Sequence, residues 1–134
     1  MIETAKKSFY KQGFMNKLGA KLVSIEKGVV IIECELNQTL TQQHGFFHAG
    51  VITSIADVAS GYAALTTMPK GSDVLTVEFK INFIRAAKTK KIKATSKVIK
   101  AGKTLTFCES TVSDSENDTI FATMQATMIC LKPD

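Results

Sequence analysis

Apolar and polar residues alternate with a period of two along most of this chain, and the alternation lapses in one long segment. In "VVIIECEL", Val30, Ile32, Cys34 and Leu36 share one face, while Glu33 and Glu35 share the other. With "GAKLVSIE" before it and Lys27-Gly28 between, this predicts a β-hairpin. Four further β-rich stretches fill the second half. In "LTVEFKINFIRA", Val77, Phe79, Ile81 and Phe83 lie on one face, opposite Glu78, Lys80 and Asn82. "KKIKATSKVIKA" sets Lys91, Lys93 and Lys97 on a wet face, and "AGKT" and "SDSEND" are turns bracketing "LTFCESTVS" before "TIFATMQATMICL". At the start, Ile2, Ala5 and Phe9 recur at helical spacing, which predicts a short amphipathic helix stopped at Gly13.

The segment without alternation is residues 48–65, rich in alanine, apolar around most of a helical circumference and bounded by the breaker "TMPKGSD". The loop "NQTLTQQHGFF" precedes it. The order is helix, two strands, a long buried helix, then four strands. That order predicts an α+β class: a curved antiparallel sheet of about six strands wrapped around the central helix, as one domain over residues 1–134. One sheet covers only part of a helix, and a second copy of the chain is the simplest cover for the remainder.

Composition narrows the classes. The chain has 134 residues, 45% hydrophobic and 22% charged, which is ordinary for a globular domain. The start has no signal-peptide pattern, and the most apolar window is short for a membrane span and contains an Asp; a soluble, cytoplasmic protein without membrane insertion is expected. Cys34, Cys108 and Cys130 are far apart with no CxxC, and are read as reduced thiols rather than a disulfide framework or zinc site. His44 and His48 have no third histidine and no HExxH, so no metal is expected. No GxGxxG, Walker loop or GxSxG is present. The net charge is +5, with seven lysines between Lys88 and Lys103. A basic patch attracts polyanions, but the lysine strand lacks interleaved aromatics, so no nucleic-acid partner is expected.

One charge stands inside the apolar helix, Asp57. Helical spacing gathers Thr53, Ser54, Ser60 and Gly61 around it, and no Lys or Arg lies within two turns. Two readings stay open. Either the carboxylate faces water or takes a neighbouring hydroxyl or backbone amide, or the stripe lines a cleft and Asp57 is a base or nucleophile. Ahead of it, Ala49 and Gly50 occupy the first helical turn, where backbone N–H groups lack intrahelical partners and the helix dipole is positive. Such a tip suits a developing oxyanion, and equally it is simply a tightly packed helix start. Phe46, Phe47, Tyr62 and Met68 line a pocket or belong to the core.

These residues resemble a family. Gln42, His48 six residues later and Asp57 nine after that match the spacing of the hotdog-fold acyl-CoA thioesterases of the PaaI-like type, related to one branch of the 4-hydroxybenzoyl-CoA thioesterases. "LTVEFKINFIRAA" is similar to that family's T-V-x-x-x-x-F-x-R-P-A strand, and the resemblance runs from about residue 18 to residue 131. It implies thioester hydrolysis with no separate cofactor. Asp57 would be nucleophile or general base, Ala49 with Gly50 the oxyanion tip, Gln42 a carbonyl- or water-positioning group, His48 an organiser of the helix start, and Thr76 a hydroxyl near the water. Substrate contacts would come from Phe47, Ser60, Gly61, Asn82, Arg85 and Lys88, the basic groups meeting coenzyme A phosphates. The site would lie between subunits of a homodimer or dimer of dimers. Two positions depart from the pattern: Ala49 stands for the second glycine and Ala86 for the proline. The alternatives are a hotdog hydroxyacyl-thioester dehydratase, which uses His as base, and a non-catalytic acyl-CoA-binding sensor, which would not need an acid at 57.

Overall fold

A computed structural model describes residues 1–133. Helix α1 (Ile2–Lys11) and a short helix α2 (Gly13–Leu18) lead into the hairpin β1 (Lys21–Glu26) and β2 (Val29–Glu35). The central helix α3 (Ala49–Leu65) follows, then β3 (Asp73–Phe83), β4 (Lys91–Ala101), β5 (Leu105–Asp114) and β6 (Ile120–Leu131). All six strands pair antiparallel in the order β1-β2-β4-β5-β6-β3, and α3 packs across the sheet's inner face. The architecture expected from the alternation is therefore present. Gly13 does not end the helical region as expected: Gln12 takes an extended conformation, and a second helix starts because it can bury Met15 and Leu18.

The central helix buries Ile52, Ile55, Ala56, Ala59, Ala63 and Ala64. Opposite them on the sheet are Val30 and Ile32 of β2, Ile92 and Ala94 of β4, Val112 of β5, and Met124 and Met128 of β6. Alanines on the helix let the sheet approach closely, and the long strand side chains fill the gap. Part of the remaining helix surface is covered from within the chain. Ala5 and Phe9 of α1 are buried, and Phe9 meets Tyr62 edge-on at 6.0 Å between ring centroids. What stays open is a narrow stripe of half-buried residues, Thr53, Ser54, Asp57, Val58 and Gly61.

Ser60 is not part of that stripe, which corrects its expected place beside the substrate. It is fully buried on the sheet side of α3. Its Oγ donates to the Ala56 carbonyl at 2.9 Å and shares hydrogen bonds with Ser110 at 2.7 Å and Ser96 at 3.2 Å. Three hydroxyls from α3, β4 and β5 thus satisfy one another where no water reaches, and pin the helix to the middle of the sheet.

The edge strand β3 departs from simple alternation. Its pairing with β6 slips between Thr76 and Glu78, leaving Val77 as a bulge. Thr76 faces Met128, and Phe79, Ile81 and Phe83 face Ala126, Met124 and Ala122, the β6 residues turned toward the helix. Val77 therefore drops out of the inner face predicted for it and Thr76 takes a place there. A bulge shifts the side-chain phase by one residue, which is how an edge strand re-aims a side chain. Leu75, Val77, Phe79 and Phe83 are exposed along this edge.

The serine cluster gives a stability test. Ser60→Ala is expected to lower the unfolding free energy by about 1–2 kcal/mol, because it strands the Ser96 hydroxyl. A urea midpoint that does not move would contradict the assignment.

Candidate active site

The bulge brings Thr76 onto Asp57. Thr76 Oγ1 donates a 2.7 Å hydrogen bond to Asp57 Oδ1, tying the central helix to the sheet edge. Burial pushes the Asp57 carboxyl up from its ordinary value, and the Thr76 hydrogen bond, which favours the charged form, draws it partly back. No cation pairs with Asp57 among the described residues. The acid sits in a cleft of about 170 Å³ between α3, β3 and α1, with Gly61 one turn on and Ser8, Gln12 and Tyr62 beyond. A larger hollow, about 360 Å³ between Leu18 and Asn37, holds Glu33 and Lys91, whose charged groups lie 3.5 Å apart; it brings together none of the chemistry expected from the sequence.

The second group of residues assembles at the N-terminus of α3. His48 caps the helix, its Nδ1 accepting from the Gly50 N–H at 2.8 Å. The role of organiser is thus occupied by His48. Gly50 does not serve as an oxyanion donor, because its N–H is used by the cap. Its lack of a side chain has a different cause: a Cβ there would stand 3.0 Å from the capping nitrogen. The Ala49 N–H makes no hydrogen bond among the described residues and is exposed at the positive end of the dipole. The amide tip therefore narrows to one residue. Thr53 and Ser54 donate to the Ala49 and Gly50 carbonyls, at 2.8 and 2.7 Å, so neither hydroxyl is free to donate.

The loop before the helix is built on Gln42. Its Oε1 accepts from His44 N at 2.6 Å and Phe46 N at 3.1 Å, and its backbone N–H donates to the Phe46 carbonyl. Gly45 turns this loop at φ 85°, a conformation other residues resist. The Gln42 Nε2 makes no hydrogen bond among the described residues and is left as a donor. Lys88 lies 4.9 Å from the Phe46 ring centre, and Phe47 N–H donates to the Ala87 carbonyl. Arg85 and Lys88 thus belong to a segment packed beside the Gln42 loop.

Other expected contacts are not brought to the acid. Phe47 is buried at 3% exposure under this loop and is core, not pocket; Met68 is likewise core. Asn82 is six residues from Thr76 along β3, about 20 Å at strand rise, and lies on the outer face with Lys80 and Glu109. The lysines do not form one patch: they run the length of β4, and Lys91 and Lys93 are paired with Glu33 and Asp118. Ser8 and Gln12 line the same cleft, which the sequence does not predict. Their signal, two polar residues on α1 near Phe9, reads as an ordinary wet helix face.

The two groups of chemistry cannot act together within one chain. Asp57 is eight residues past Ala49 on a continuous helix, about 12 Å along its axis. A carbonyl oxygen and the carbon under attack are only about 1.2 Å apart.

Cys34 and Cys108 are buried and their thiols are pushed up to about 11 and about 12, so neither is a nucleophile at neutral pH. No helix among the described residues is long and apolar enough to cross a membrane, and no cluster of three metal-ligating side chains occurs among them.

Because its carboxyl is raised on folding, ionised Asp57 destabilises the native state. The penalty is full above the folded pKa and fades as pH drops from there toward the unfolded value. Asp57→Asn is therefore expected to leave thermal stability at pH 7 unchanged or higher, with the gap closing in acid. A lower melting temperature at pH 7 would contradict this account of the cleft.

Comparisons with known proteins converge. Residues 44–121 match the thioesterase superfamily. The crystal structure of a thioesterase family protein from Silicibacter pomeroyi is 37% identical, with a TM-score of 0.94 over 98% of both chains. The 1,4-dihydroxy-2-naphthoyl-CoA hydrolase of Listeria monocytogenes is 26% identical over 102 residues, 76% of this chain and 83% of that one. The PaaI protein from the phenylacetic acid degradation operon of E. coli shares the fold, with a TM-score of 0.86 at 19% identity over 95% of this chain and 90% of that one.

Proposed function

This chain belongs to the thioesterase superfamily and is a hydrolase of hotdog fold, and on that premise we propose that it cleaves the thioester of an acyl- or aryl-CoA, with Asp57 as nucleophile or general base. The observation that carries the reading is the Asp57–Thr76 pair in a cleft, together with an unpartnered Ala49 amide that the same chain's Asp57 cannot reach. The name of the Listeria relative, a CoA thioester hydrolase, supports the choice of substrate class.

The working site is then assembled from two copies: Asp57 and Thr76 from one, the Gln42 loop and Ala49 from the other. The exposed apolar edge of β3 favours such a homodimer, because an unpaired edge with Leu75, Val77 and Phe79 in water is a surface that wants cover. As general base, Asp57 takes a proton from water, and the hydroxide adds to the thioester carbon. The oxyanion is held by Ala49 N–H, with the Gln42 amide beside it. Collapse expels the CoA thiolate, and Asp57 returns the proton to sulfur. As nucleophile, the carboxylate itself adds, the thiolate leaves, and water then cleaves the anhydride and restores Asp57. In both routes Thr76 orients the carboxylate through Oδ1 and leaves Oδ2 for the reacting atom. Histidine base chemistry of the dehydratase kind is disfavoured at His48, whose Nδ1 is occupied by the cap.

Asp57→Ala is expected to reduce kcat/KM for acyl-CoA at least about 100-fold, measured by thiol release. Thr76→Val removes the hydrogen bond that lowers the Asp57 pKa, so the acid limb of the pH–rate profile is expected to move to higher pH.

The oxyanion donor can be deleted cleanly. Ala49 is the first helical residue, where proline is tolerated, and His48 already has the extended conformation (φ −64°, ψ 139°) that a following proline demands. Ala49→Pro is expected to keep the fold and lose about 100- to 1000-fold in rate. Co-expressed Asp57→Ala and Ala49→Pro chains are expected to regain about a quarter of wild-type activity, since half the dimers are mixed and each mixed dimer has one intact site. No recovery would refute the shared site. Arg85→Ala with Lys88→Ala is expected to raise KM and weaken its salt dependence while leaving kcat near wild type.

A further inference from the structure

The cleft beside Asp57 has a built end. Beyond Gly61, the Tyr62 hydroxyl accepts from Gln12 Nε2 at 2.8 Å and shares a hydrogen bond with Ser8 Oγ at 2.9 Å. Both partners come from α1, and Phe9 of the same helix packs against the Tyr62 ring with 1% exposure. The wall is therefore anchored in the core and cannot swing aside without undoing a buried aromatic contact. The hydroxyl is bonded from both sides, so an apolar group can rest against it without leaving it unsatisfied.

From Asp57 to Gly61 is one helical turn, four residues, about 6 Å along the axis. An extended alkyl chain, with C–C bonds of about 1.5 Å, covers that distance in about five carbons. The cleft is open to solvent, holds about 170 Å³ and is lined by the Asp73 carboxylate as well as by Val58 and Val74; its room is that of about one benzene ring. Gly61 contributes to the room. Glycine inside a helix is unfavourable by about 1 kcal/mol relative to alanine, yet a Cβ at 61 would meet nothing within 4 Å. Packing in the chain gives no reason for glycine here, whereas an acyl group lying against the helix does.

We propose that Ser8, Gln12 and Tyr62 form an end stop that limits the acyl group to a compact one, a chain of about six carbons or a single ring, and that Gly61 sets the width of the slot leading to it. The proposal rests on the thioesterase reading above and goes beyond it by naming specificity residues on α1, a helix that carries none of the reacting groups.

The test is kcat/KM across straight-chain acyl-CoAs from acetyl to dodecanoyl, with benzoyl-CoA alongside, for wild type, the Ser8→Ala/Gln12→Ala double variant and Gly61→Ala. Wild type is expected to fall about tenfold or more once the chain outruns the stop. In the double variant the ratio of decanoyl to butanoyl kcat/KM is expected to rise by about tenfold, and in Gly61→Ala the ratio of benzoyl to acetyl is expected to drop. A merely structural role for α1 would change rates on all substrates together and leave these ratios alone. Wild type that cleaves dodecanoyl- and butanoyl-CoA equally, or a double variant with an unmoved cut-off, overturns the stop while leaving the thioesterase reading intact. Absence of turnover on every acyl- and aryl-CoA removes both.

Discussion

A single hydrogen bond, from the Thr76 hydroxyl to the Asp57 carboxylate, joins the two parts of this molecule that have least reason to meet. One end stands on an otherwise apolar helix and the other on the outermost strand of the sheet. The contact exists because β3 bulges at Val77, and without that bulge Thr76 would share the outer face with Lys80 and Asn82. The same contact fixes one carboxylate oxygen, leaves the other free and moderates the effect of burial on the pKa. An acid half-buried with no cation is costly to keep. The hydroxyl offsets part of that cost by hydrogen-bonding to the charged form.

The length of α3 imposes the second constraint. Its amide tip and its carboxylate are separated by more than two helical turns, and no side-chain motion closes that gap. A rigid helix therefore keeps the Ala49 amide and the Asp57 carboxylate of one chain apart. Helix rigidity comes from below: the Ser60, Ser96 and Ser110 hydroxyls and the alanine-lined contact hold α3 to the sheet without slack. The buried residues that hold the helix and the half-buried stripe that carries Asp57 lie side by side on it.

Much of this was legible in the chain. The order of elements, the six strands and the central helix followed from a change of period, since alternation and helical spacing bury different residues. Asp57 was conspicuous because a charge amid alanine and isoleucine needs an explanation. The unpaired amides of Ala49 and Gly50 followed from where helices leave N–H groups without partners, whereas His48 as organiser came from the family resemblance and its capping bond only from the structure. Gly50 misled, because glycine in the first turn looks like room for substrate when it is room for the capping imidazole.

The sequence by itself determined what is periodic or local: strands, helices, the unpaired amides and the lone acid, each set by neighbours within a few positions. Tertiary structure decided what depends on phase and distance. The bulge that turns Thr76 inward is a mismatch between two strands, and strand periodicity alone contains no sign of it. Ser60 and Asp57 are three residues apart and only about 60° apart around the axis, yet Ser60 lies under the sheet and Asp57 opens to the cleft, because the boundary of the sheet's cover falls between them. Ser8 and Gln12 reach Tyr62 from some fifty residues away, and only the folding of α1 over the helix made them the wall of anything.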